Sequence, residues 1–154
     1  MPPRRRRKPR LEIHLQIGAR AVRAPTPAQV RRWVRAALKG SAEITVRVVG
    51  AAEARRLSRR YRGEDHATNV LSFPYLRSRG MVQGDIVLCA PVIAREARFQ
   101  GKTLESHFAH MTVHAVLHLQ GYDHLRPRAA GRMETLEKRL LAKLGYPDPY
   151  DAAR

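Results

Sequence analysis

One domain that combines helices with strands is the fold this sequence predicts, and three observations lead there. The chain has 154 residues, enough to bury a sizeable core without disulfides or a structural metal as staples. Its apolar residues alternate with period two in some stretches and recur at helical spacing in others. No internal repeat or linker divides these stretches. The resulting order is strand, helix, strand, helix, two strands, three helices.

Residues Met1 to Arg10 are rich in Pro and Arg and apolar only at Met1. Such a segment buries too little surface to offset the entropy of ordering, so 1–10 is expected to be a disordered basic arm before a domain spanning 11–150. Leu11, Ile13, Leu15 and Ile17 alternate with Glu12, His14 and Gln16, the pattern of a half-buried strand ending near Gly18. Thr26 followed by Pro27 begins a helix, because the hydroxyl caps a free backbone N–H and proline loses nothing by lacking one in the first turn. Val30, Trp33, Val34, Ala37 and Leu38 then recur at helical spacing up to a stop at Gly40.

Glu43 to Val49 is β-branched enough for a second strand, and Ala51 to Tyr61 predicts a helix that turns Ala54, Leu57 and Tyr61 inward. From Arg62 to Asn69 the periodicity gives way to crowded polar groups, a loop of the kind that carries binding residues. Val70 to Phe73 resumes as a strand that Pro74 is expected to end, Gly80 and Gly84 bracket a turn, and Asp85 to Cys89 forms the fourth strand. Helices follow from about Pro91 to Phe99, from Thr103 or Leu104 to Gln120, and from about Ala129 to Leu144. The last has Met133, Leu136, Leu140, Leu141 and Leu144 as its apolar face.

Lys and Arg number 30 against 13 Asp and Glu, giving a formal net charge of +17 and a pI near 11.4. Arg4, Arg5, Arg6, Arg7, Lys8 and Arg10 supply only six of these charges, so the body of the protein is itself positive. Such a surface attracts polyanions at long range, and nucleic acid is the partner it suits best. A proteome-wide habit of spending Arg in place of Lys is the competing explanation. Cys89 is the only cysteine, which excludes an intramolecular disulfide and a cysteine-based zinc cluster. The basic start lacks the apolar run of a signal peptide, and no stretch approaches the roughly 20 apolar residues of a membrane span. A cytoplasmic protein without membrane contact is expected.

The most informative segment is His114-Ala-Val-Leu-His118-Leu-Gln-Gly-Tyr-Asp-His124. Residues four apart on a helix point the same way, so His114 and His118 can place two imidazoles on one ion. Gly121 lets the chain leave the helix through a left-handed conformation, and the Tyr122-Asp123 turn can return His124 to the same ion. Three neutral nitrogens leave one tetrahedral position open, the arrangement of catalytic rather than structural zinc. A pair of histidines four apart is common and by itself mostly binds nothing; the broken turn and the third histidine change that reading. At roughly 100° per residue His107 and His110 share nearly the same stripe and are rival ligands. No second turn brings a third ligand to their end, so both are expected to line the cleft or hydrogen-bond a core carbonyl. Metalloproteases of the His-Glu-x-x-His type carry their general base directly after the first histidine, where this chain has Ala115. Peptidase chemistry is disfavoured, and phosphodiester cleavage depends less on that carboxylate.

Further segments stand in a telling order: Tyr61-Arg62-Gly63-Glu64-Asp65, Thr68-Asn69-Val70-Leu71-Ser72-Phe73-Pro74, Gly84-Asp85-Ile86-Val87-Leu88-Cys89, the histidine segment, and Leu144-Gly145-Tyr146 with Pro149-Tyr150. On these the sequence resembles the YbeY family, bacterial single-strand-specific, metal-dependent endoribonucleases associated with ribosomal RNA maturation. The resemblance implies an α+β domain, with a mixed four-stranded sheet packed against helices and a metal cleft at the end of a central helix. It implies one zinc ion per chain on His114, His118 and His124, with Arg62 and His114 as catalytic residues. Single-stranded RNA, ribosomal RNA and the ribosomal small subunit are the partners it implies, with roles in small-subunit 3′-end maturation and ribosome quality control. Nickel and cobalt suit the same imidazoles.

Two departures from the family pattern are Ala115, where the family commonly has glycine, and the basic extension 1–10. A guanidinium at Arg62 suits bidentate grip on a phosphate, against the competing role of a salt bridge to Glu64 or Asp65. Asp123 is read either as orienting a ligand imidazole or as forming the turn, and Asp85 is a second candidate for the orienting role. Cys89 is expected in the core, and Tyr61, Phe73 and Tyr75 either stack bases or pack inside. Two other functions compete: a non-catalytic assembly factor that binds ribosomal RNA and carries a structural metal, and a metallohydrolase acting on another substrate.

Overall fold

A computed structural model of the chain describes residues 8–18, 21, 23–78 and 81–151. The alternating first stretch forms β1 (Leu11–Ile17), and the Thr26-Pro27 signal starts α1 (Pro27–Ala37). There the Thr26 hydroxyl accepts the Gln29 N–H while the Gln29 side chain accepts the Thr26 N–H, so two otherwise free donors are satisfied reciprocally. The chain continues through β2 (Ser41–Val49), α2 (Ala51–Arg62), β3 (Val70–Ser78), β4 (Met81–Cys89), α3 (Ala90–Phe99), α4 (Leu104–Leu119) and α5 (Pro127–Leu144). Most of the expected basic arm, residues 1–7, lies outside the described residues. Arg10 at its junction is tied to β2, with its N–H donating to Ser41 Oγ and its carbonyl accepting from Ala42, each at 3.0 Å.

The sheet order is β1-β2-β4-β3, with β1, β2 and β4 parallel and β3 antiparallel to β4. Parallel neighbours need long crossovers, which α1 supplies between β1 and β2, and α2 with β3 between β2 and β4. Period-two alternation splits the strands between two faces. Ile44, Val46, Val48, Ile86 and Leu88 pack against α1, α4 and α5, while Val49, Leu71, Val87 and Cys89 meet α2 and α3 on the other side. The fold is α+β, and α4 is its central helix: from Ser106 to Leu119 all but His114 and His118 are buried. Among the described residues, no helix is long and apolar enough to cross a membrane.

Four local expectations are corrected. Pro74 does not end its strand, since β3 runs on to Ser78 with a register irregularity between Pro74 and Leu76. β3 pairs on one side only, and an edge strand tolerates a residue without an N–H. Gly84 is not part of a turn but sits inside β4 opposite Pro74. α2 turns Ser58 inward and leaves Tyr61 56% exposed, its ring edge-on to Phe73. The last helix begins at Pro127, two residues before the expected Ala129, because proline is accommodated in the first turn.

Gly84 has a packing role. A Cβ there would stand 2.7 Å from the Phe73 carbonyl oxygen and 2.8 Å from Leu119 Cδ2. Its bare backbone thus lets the end of α4 sit directly on the sheet, beside His118. Gly84→Ala is expected to destabilise the protein by about 1–3 kcal/mol, the usual cost of overpacking. Urea denaturation measures this, and an unchanged midpoint would contradict the tight contact.

Candidate metal centre

α4 delivers two imidazoles to its C-terminal end, His114 and His118, with ring centroids 5.3 Å apart. Gly121 then takes φ of 98°, a left-handed conformation that a side chain would strain. The helix end is closed by bonds from the Gly121 N–H to the His118 carbonyl at 3.0 Å and from the Tyr122 N–H to the Leu117 carbonyl at 3.1 Å. Asp123 Oδ1 accepts the Leu125 N–H at 2.8 Å, so of its two expected roles Asp123 performs that of shaping the turn. That turn brings His124 back, its ring 4.7 Å from His118 and 5.5 Å from His114.

One nitrogen from each of the three rings lies within 4.8 Å of the others, and His118 Nε2 is 2.6 Å from His124 Nδ1. Three convergent imidazole nitrogens fit zinc or a similar borderline cation. Burial, and then the neighbouring imidazoles of His114 and His124, hold His118 below the usual histidine range, which favours the neutral form that binds metal.

His114 has a second contact, made to a carboxylate of α5. Its Nδ1 lies 2.6 Å from Oε1 of Glu137, a fully buried carboxylate on α5. Oε2 of the same group takes a bond from His110 Nε2 at 2.8 Å and another from the Tyr150 hydroxyl. Burial alone would push this carboxyl up, but the donors His110, His114 and Tyr150 outweigh it and hold it at about 2. His110, His114 and Glu137 also stand within ligand distance of one another, and hydrogen bonds to the carboxylate account for that closeness. His107 Nε2 bonds Glu96 Oε1 at 3.0 Å, and the Asn69 amide donates to the same carboxylate at 3.1 Å. Both extra histidines were expected to line the cleft or bond a core carbonyl; each instead pairs with a carboxylate brought from another helix. Tertiary packing, not helical spacing, chooses such partners.

The three histidines line a cleft of about 550 Å³ together with Tyr61, Arg62, residues 68–73 and Leu125. Arg62 is the last residue of α2 and is exposed. Asp65 is held by Arg55 at 2.9 and 3.0 Å and by Arg59 at 3.3 Å, and Glu64 by His66 at 3.5 Å. Among the described residues no ion pair engages Arg62, so the competing salt bridge to Glu64 or Asp65 is not formed. Asp85 accepts the Tyr75 hydroxyl. Cys89 is 1% exposed, and burial pushes its thiol up, as a core position requires.

The residues that spacing did not single out are Glu137, Asn69 and Tyr150. Glu137 had one visible signal: it stands four residues from both Met133 and Leu141, inside the apolar stripe of α5.

Comparison with known sequences gives a consistent result. The family profile described as Endoribonuclease YbeY matches residues 19–145. A protein named Endoribonuclease YbeY from Aromatoleum aromaticum is 60% identical over 141 residues, covering 91% of each chain. Another of that name from Thiobacillus denitrificans is 52% identical over 143 residues, 92% of this chain and 97% of the other. The solution structure of a Thermotoga maritima protein matches with a TM-score of 0.52 over 92% of this chain and 99% of that one. At 20% identity that is a likeness of fold.

Proposed function

Because the chain belongs to the YbeY endoribonuclease family, we propose that it is a zinc-dependent endoribonuclease specific for single strands. In this reading it works in the cytoplasm on ribosomal RNA of the small subunit, in 3′-end maturation and ribosome quality control, and residues 11–150 form its catalytic domain. One zinc ion per chain is held by His114, His118 and His124. The observation that supports this most is the meeting of these three imidazoles with Arg62 in one cleft.

A zinc ion bound there supplies Lewis-acid polarisation of a phosphate oxygen and lowers the pKa of water. Arg62 grips the phosphate through its planar guanidinium and offsets the charge that builds on it during cleavage. Tyr61, exposed at the rim, offers a face on which an unpaired base stacks, a contact that a duplex cannot make. A groove lined by Lys39, Arg128, Arg132 and Arg139, with Tyr122 at its side, supplies cations along which a phosphate backbone can run.

Chelation tests the reading. Protein stripped of metal is expected to lose cleavage of a single-stranded RNA and to regain it when zinc is returned, while a duplex of the same sequence stays intact. Undiminished cleavage by protein free of detectable metal would sink it. Tight binding of RNA without cleavage, with zinc present, would favour the assembly-factor role instead.

A further inference from the structure

Glu137 is the only buried carboxylate among the described residues, at 0% exposure. Met133 and Leu141, one turn to either side, are buried and apolar, so the charge depends on its hydrogen-bond donors. Those three donors come from two segments of the chain: His114 and His110 on α4, and Tyr150 from the segment beyond α5.

An ionised carboxylate only accepts, so His114 must offer it Nδ1–H, and that assigns the lone pair on Nε2 to the ion. The tautomer and the ring orientation are then set before any metal arrives. Tyr150 is itself held in place. Its N–H donates to Asp148 Oδ1 at 2.8 Å, its ring stands edge-on to His110 at 5.3 Å, and the preceding Pro149 carbonyl accepts from Lys102 Nζ at 2.5 Å.

We propose that Glu137 is the positioning residue of the metal centre, fixing His114 as the Nδ1–H tautomer with Nε2 as its ligand atom. Tyr150 is the strut that keeps the carboxylate in place, so the segment after α5 sets metal affinity without touching the ion. The proposal rests on the reading of His114 as a ligand.

Glutamine at 137 keeps the shape but has one acceptor oxygen for three donors, so one donor faces an amide NH₂ and the ligand imidazole loses its anionic partner. Four full-length proteins test the idea: wild type, His114→Ala, Glu137→Gln and Tyr150→Phe. Zinc affinity is read by competition with a chromophoric chelator, the His114 tautomer by nitrogen-15 spectra of the zinc-free protein, and folding by circular dichroism. Glu137→Gln is expected to weaken zinc binding about 10–100-fold and to mix the His114 tautomers. Tyr150→Phe, which deletes a single oxygen, is expected to weaken it several-fold with the helical signal unchanged.

If His114→Ala binds zinc as wild type does, the ligand reading fails and the proposal falls with it. If His114→Ala loses zinc while the other two variants keep wild-type affinity and a single Nδ1–H tautomer, the ligand reading stands and the positioning role is overturned. Should Glu137→Gln not fold, the wild-type spectrum decides, because an Nε2–H tautomer for His114 contradicts the proposal outright.

Discussion

His118→Ala should purify without stoichiometric zinc and cleave single-stranded RNA slower by on the order of a thousandfold. The magnitude follows from a metal's several kcal/mol of transition-state stabilisation, at about tenfold in rate for each 1.4 kcal/mol. Removing this ring leaves His114 and His124, and two imidazoles 5.5 Å apart hold an ion far less firmly than three. The fold should survive, because His118 is half-buried at the last turn of α4 and, among the described residues, its ring bonds only to His124. Elemental analysis and a cleavage assay on one preparation check both halves of the expectation. A variant with full zinc and full activity would remove His118 from the centre.

Arg62→Ala should do the complementary thing, leaving zinc content unchanged while lowering cleavage about 10²–10³-fold, as the loss of one well-placed donor to a developing anion does. Arg62→Lys should recover only part of the rate, since an ammonium cannot offer two parallel N–H bonds to a phosphate. The exposed position of Arg62 at the end of α2 makes a folding defect an unsuitable explanation for such a loss. Wild-type cleavage by Arg62→Ala would leave the histidine site without this partner.

The histidine centre was legible because its information is local. Four-residue spacing on a helix, a glycine that breaks it and a third histidine just beyond all fall within His114 to His124. The helices and their order were legible for the same reason, through caps and apolar stripes. What escaped was set by partners distant in the chain. Pro74 reads as a strand end unless its strand is known to lie at a sheet edge, and Gly84 reads as a turn unless Leu119 is known to press on it. A glutamate within the apolar stripe of α5 gives no notice that two histidines and a tyrosine will converge on it. The carboxylate partners of His107 and His110 were unreadable for the same reason, coming from α3 and α5.

The three proposed ligands are mounted unequally, and this bears on how fast a bound metal would exchange. His114 and His118 ride on α4, the helix at the centre of the main core, so their backbone is held by the packing of the fold. His124 is exposed and sits on a short glycine-hinged turn outside any helix or strand. Opening of segment 121–126 alone would release His124 while His114 and His118 stay on their helix. An ion held there as proposed would have its residence time governed by a local fluctuation of a few residues, so a mutation that greatly alters the melting temperature could leave the off-rate untouched.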